Sequence, residues 1–66
     1  MTKRQVEEMF KNEVMPYIYS KEKEYGNGID IPMRSEAWND YTDMLCKDRM
    51  ITDHQYNNWS HPAICH

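Results

Sequence analysis

Leu45, Val6, Val14, Phe10 and the isoleucines Ile18, Ile29, Ile31, Ile51 and Ile64 are the only aliphatic or phenylalanine anchors in a chain of 66 residues. That scarcity constrains the fold more than any motif does. A chain of this length has room for one domain and buries only about 60% of the surface its unfolded form exposes. So few anchors would by themselves suit a disordered chain. Two features oppose that outcome: the net charge is only −3, and two Trp, five Tyr and six Met add large apolar contact area. The expectation is a folded but marginal domain that gains stability from a partner or from self-association.

The anchors recur at helical spacing. Thr2 and Gln5 form a capping-box pattern, with Met1 and Val6 placed as a hydrophobic staple, so a helix should begin at once. Val6, Phe10, Val14 and Tyr17, flanked by Met9 and Ile18, then predict its inward face, beside a charged ladder of Lys3, Glu7 and Lys11. Pro16 lacks an amide hydrogen and crowds the carbonyl of Asn12, which predicts a kink or break with a second helical piece restarting there. Gly26, Asn27 and Gly28 should stop that piece after about Tyr25.

The alternation Ile29, Asp30, Ile31, Pro32 reads as an extended strap whose two isoleucines cover the core. Ser35 is then the expected N-cap of a helix reaching about Lys47, with Trp38, Tyr41, Thr42 and Leu45 inward and Glu36, Asp40 and Asp43 as an acidic stripe outward. Thr52 and Gln55 repeat the capping box, with Ile51 and Tyr56 as the staple, and predict a short helix from Asp53 to Trp59 that Pro62 prevents from extending. The expected fold is all-α: a small three-helix domain over residues 1–62, its first helix kinked or broken at Pro16, followed by a mobile tail over 63–66. Phe10, Trp38, Leu45 and Trp59 are the expected core anchors.

Charge and composition narrow the function classes. The eight basic residues are scattered through an acidic chain, which argues against a sequence-independent grip on nucleic acid. No apolar run approaches the length of a membrane span, and no apolar segment follows Lys3 and Arg4 as a signal peptide would require, so a cytoplasmic protein is expected. Cys46 and Cys65 are too few for a disulfide framework, although the sequence leaves a single bridge between them open.

Four constellations carry possible chemistry. The stretch from Met44 to Gln55 has the outline of a calcium loop but places Met44, Cys46 and Gln55 where oxygen ligands belong and Arg49 where the turn wants Gly. His54, His61, Cys65 and His66, with Cys46 further back, have the donor atoms for zinc without the paired spacing. The same thiols and imidazoles lack a third orienting group for nucleophilic catalysis, and Asp40 and Asp43 lie on a solvated face where neither is tuned as an acid. No metal, no cofactor and no catalytic residue is therefore assigned. A DNA-reading corner is the fourth: His54, Gln55, Asn57 and Asn58 suit base edges, but the same helix carries Asp53 and no Lys or Arg.

The segment Ala37-Trp38-Asn39-Asp40-Tyr41-Thr42-Asp43, continuing through Cys46-Lys47-Asp48 and Ile51-Thr52 to Gln55-Tyr56-Asn57-Asn58-Trp59 and Pro62, resembles small uncharacterised proteins encoded by tailed bacteriophages. It covers roughly the C-terminal half, and Val14-Met15-Pro16 also fits; that pattern has Gly where this chain has Arg49. The resemblance implies a phage origin and expression inside an infected bacterium, and it carries over no catalytic or binding residues. The reading that combines these points is a non-catalytic module that binds a host or phage protein, a nucleic-acid enzyme among the candidates. Met15 and Tyr19, predicted to be left exposed opposite Val6, Phe10 and Tyr17, and the acidic stripe Glu36, Asp40 and Asp43 are the expected contact residues. Homodimerisation is left open beside this reading, and a small helix-turn-helix DNA-binding regulator is the alternative to it.

Overall fold

The computed structural model describes residues 1–26 and 28–65, so the expected part of Asn27 in the loop and of His66 in the tail lies outside the described residues. Thr2 starts α1 (Lys3–Glu13) with both halves of the capping box: Thr2 Oγ1 accepts from the Gln5 amide at 3.2 Å, and Gln5 Oε1 accepts from the Thr2 amide at 2.9 Å. Val14 separates α1 from α2 (Met15–Tyr25). The Val14 amide closes α1 by donating to Phe10 O at 2.8 Å, while its carbonyl accepts from Tyr17 and Ile18 at 3.1 and 3.2 Å. Pro16 lies in the first turn of α2, where an amide has no intrahelical acceptor to lose.

This junction resets which side faces inward. Continuing the spacing of Val6, Phe10 and Val14 would bring Tyr17 to the core, yet Met15 takes the inward place, with no exposed surface, and Tyr17 is 64% exposed. The face runs Val6 and Phe10, then Met15, Ile18 and Glu22. Met15 was expected outside because one helical phase was carried across Val14.

Gly26 ends α2 in the left-handed conformation, φ 72°, with its amide donating to Glu22 O at 3.1 Å. α3 (Ile31–Lys47) begins earlier than Ser35 would have it: Asp30 is the N-cap, Oδ1 accepting from the Met33 amide at 3.0 Å. Pro32 fits the first turn of α3, so its bias against helix at Ile31 is overridden. Ile29 does not cover the core as a strap would; it is 66% exposed. The expected inward face of α3 is found, with Trp38, Tyr41, Thr42 and Leu45 all buried, and Arg34 joins it.

α4 (Asp53–Asn58) repeats the capping box through Thr52 and Gln55, at 3.1 and 2.9 Å. A 3-10 turn, Ala63–Cys65, follows. Among the described residues the secondary structure is entirely helical, with four α-helices where three were expected. The described part of the tail expected to be mobile, residues 63–65, packs on the helices: Cys65 has no exposed surface and Ile64 is partly buried against the core. Trp38 is the centre of the core. Phe10 meets it edge-on at 5.4 Å between ring centroids and meets Tyr41 at 5.8 Å. Leu45 and Ile51 are also buried, whereas Trp59, expected as an anchor, packs against this core only partly buried.

The turn from α3 to α4 carries local strain. The Arg49 amide donates to Cys46 O at 3.0 Å and the Met50 amide to Leu45 O at 2.9 Å, the two bonds of a Schellman ending, and Arg49 holds φ 60° where such endings favour Gly. A left-handed side-chain-bearing residue costs about 1–2 kcal/mol, against about 0.4–1 kcal/mol of unfolded-chain entropy that glycine restores. Arg49→Gly is therefore expected to stabilise the domain by about 0.5–1 kcal/mol, raising Tm by several degrees in thermal unfolding. An unchanged or lower Tm would show that the Arg49 side chain contributes more than its backbone costs.

Candidate functional site: an anchored junction beside an acidic face

Three segments distant in sequence meet at the start of α3. Glu22 Oε1 accepts from Arg34 Nη2 at 2.8 Å, and Oε2 accepts from Arg34 Nε at 2.9 Å and from the Asp30 amide at 2.8 Å. Both side chains are about nine-tenths buried. The third nitrogen, Arg34 Nη1, donates to the carbonyl of Ile64 at 2.9 Å, Ser35 Oγ donates to the carbonyl of Cys65 at 3.3 Å, and the Cys65 thiol donates back to Arg34 O at 3.4 Å. Charge-assisted forked bonding of this kind satisfies an ion pair that desolvation would otherwise make unfavourable. Hydrogen bonds from Arg34 and then from the Asp30 amide hold the Glu22 carboxyl below its usual range, and the same pairing raises Arg34 further.

Tyr19 borders this junction. Its ring lies over the Arg34 guanidinium, 5.4 Å from the centroid, and the residue stays 48% exposed, so the ring that meets the cation is also at the surface. Of the pair expected to form an exposed patch, Tyr19 is at the surface and Met15 is in the core. Glu36 and Asp40 project from the outer side of α3; Asp43 is half-buried and bonded to Lys47 at 3.0 Å, so a cation closes one end of the stripe. The junction itself escaped the sequence reading, although Glu22 follows Met15 and Ile18 at inward spacing and Arg34 precedes Trp38 and Tyr41 in the same way. A charge at an inward position on each of two neighbouring helices was the available signal.

The other candidate residues are dispersed. Among the described residues no group of three or more His, Cys, Asp and Glu could hold a metal ion. His66, one of the zinc candidates, lies outside the described residues. Both thiols are free; Cys46 donates to Asp53 Oδ1 at 3.1 Å, a bond that together with partial burial raises its pKa, while burial raises that of Cys65. Neither is shifted toward the thiolate that nucleophilic chemistry needs. At the DNA-reading corner, Gln55 is committed on both amide atoms, accepting from Thr52 and donating to Met1 O at 2.9 Å, and Asn58 donates to His54 O at 2.7 Å. The recesses are open to solvent. One, about 470 Å³, is lined by Met1, Thr2, Arg4, Gln5, Glu8 and Met9, and a second of about 370 Å³ includes Cys46 and Asp53. No described helix is long and apolar enough to cross a membrane.

Two titrations report on these contacts. Because the folded Glu22 carboxyl is held below its unfolded value, its stabilising effect is complete above the ordinary glutamate range and fades as pH falls through the depressed value. Glu22→Gln should lower the urea midpoint near neutrality, and the gap to the wild type should close as the solution is acidified; a gap independent of pH would contradict the ionic role. Tyr41 donates to Glu13 Oε2 at 2.8 Å, and burial first, then this bond, pushes its pKa up to about 12. Its contribution to stability is therefore full below the ordinary tyrosine range and lost as pH rises through about 12. Alkaline absorbance titration should show one late phenolate step that Tyr41→Phe removes.

Comparison with protein-family models, with curated proteins and with solved structures finds no match to this chain.

Proposed function

We propose that this chain is a small non-catalytic binding module that engages a host or phage protein through the outer side of α3. Glu36 and Asp40 are the central contacts, Asp43 the edge beside Lys47, and Tyr19 the neighbouring aromatic. Met15 has no part in this surface because it is buried. The observation that carries the reading is the division of labour on α3: one side is committed to Trp38, Tyr41, Thr42 and Leu45 in the core, and the opposite side presents the exposed carboxylates Glu36 and Asp40, which make no hydrogen bond or ion pair among the described residues.

Carboxylates at helical spacing complement a basic groove, and their contribution is to the rate and specificity of encounter. A phosphate-binding surface of a nucleic-acid enzyme is a partner of that chemistry. The phage-like pattern from Ala37 to Pro62 supports a protein made in an infected bacterium, where binding and redirecting a host enzyme would place it in the host cytoplasm. No cofactor enters this reading.

Capture from bacterial lysate with the wild type and with Glu36→Lys plus Asp40→Lys tests it, since neither change touches the core. Retention of a specific protein that weakens with salt and falls at least about tenfold in the charge-reversed variant is expected, with Tm unchanged. Capture indifferent to the reversal would sink the proposal. So would binding of labelled duplex DNA at moderate salt, which supports the helix-turn-helix regulator, or concentration-dependent dimerisation through α3.

A further inference from the structure

We infer that the chain pairs with a second copy of itself across the outer flank of α1, with Arg4 of each copy facing Glu8 of the other. This inference is independent of the binding proposal, since no residue of α3 lines the surface concerned. An open recess of about 470 Å³ runs along the start of α1, lined by Met1, Thr2, Arg4, Gln5, Glu8 and Met9, and its wall is mainly apolar. The wall is also held in place. Gln5 Oε1 accepts from the Thr2 amide at 2.9 Å, Met1 O accepts from Gln55 Nε2 at 2.9 Å, and Met9 packs against the core. Met1 is thereby tied to α4, which lowers the ordering cost of covering this surface.

The charges on this flank select the occupant. Lys3 and Glu7 pair along α1 at 3.7 Å, whereas Arg4 and Glu8, at the same spacing and both exposed, make no hydrogen bond or ion pair among the described residues. A ligand of a single sign would be attracted at one end of the recess and repelled at the other. The matching surface carries an apolar strip and the same two charges in reverse order, about 6 Å apart along a helix axis. A second α1 running antiparallel has that pattern. A two-fold axis between Arg4 and Glu8 sets each Arg4 against Glu8 of the second copy and brings Met1 and Met9 of both copies to one apolar seam. A chain of 66 residues with so few aliphatic anchors gains stability from such burial as its concentration rises.

Sedimentation equilibrium of the full chain from micromolar to millimolar concentration reads the pairing. The mass should rise from that of one chain towards that of two. Arg4→Glu and Glu8→Arg each set like charges opposite one another, so each alone should weaken dimerisation about tenfold or more. Both side chains are exposed, so the far-UV circular dichroism of the dilute variants should match the wild type. An equimolar mixture of the two variants should pair as the wild type does, since one brings two acids to the seam and the other two cations. Glu36→Lys plus Asp40→Lys should leave the mass as it is, which separates this surface from the acidic face of α3. A single-chain mass over the whole range, a dimer indifferent to the α1 reversals or lost with the α3 reversal, or a mixture that stays monomeric would overturn the inference.

Discussion

The forked pair between Glu22 and Arg34 is the contact on which the arrangement of this molecule turns. It joins the end of α2 to the first turns of α3 and, through the remaining guanidinium nitrogen, to the C-terminal segment. An ion pair is an uncommon device for a domain with so little apolar material, because desolvating two charges offsets much of their attraction. Here the carboxylate also accepts from the Asp30 amide, and Asp30 caps α3, so one pair satisfies a loop amide and helps place a helix start. Its value lies in direction: apolar burial says that α2 and α3 should touch, and the fork says at which register.

The core shows why such help is needed. The molecule measures 37 × 18 × 18 Å, so it is less than two helix diameters thick. Buried residues form one cluster that includes Trp38, with Phe10 packed edge-on against both Trp38 and Tyr41. Helix ends are correspondingly well made. Two capping boxes, an aspartate cap and a glycine ending satisfy backbone groups that packing alone would leave to solvent.

A rod this thin has a large surface relative to its mass. The two sides of α3 divide accordingly, one holding the core and the other presenting carboxylates. Tyr19 links the regions physically, since its ring covers the Arg34 guanidinium and the residue is at the surface. The same guanidinium donates to the Ile64 carbonyl, so the α2–α3 junction and the terminal turn share one cation.

Local chemistry was legible in the chain itself. Both capping boxes, the stop at Gly26, the inward face from Trp38 to Leu45 and the end of α3 at Lys47 follow from side chains acting on backbone within four residues. The acidic stripe was legible for the same reason, as a helix face is set by spacing. What the sequence could not show is phase and long-range pairing. Val14 breaks the helical count, which puts Met15 inside and Tyr17 outside, and no local propensity specifies that step. Glu22 and Arg34 are twelve residues apart, and Arg34 and Ile64 thirty. Only packing α2, α3 and the terminal turn together brings those groups within bonding distance, which is why this buried, forked contact was decided by the tertiary structure.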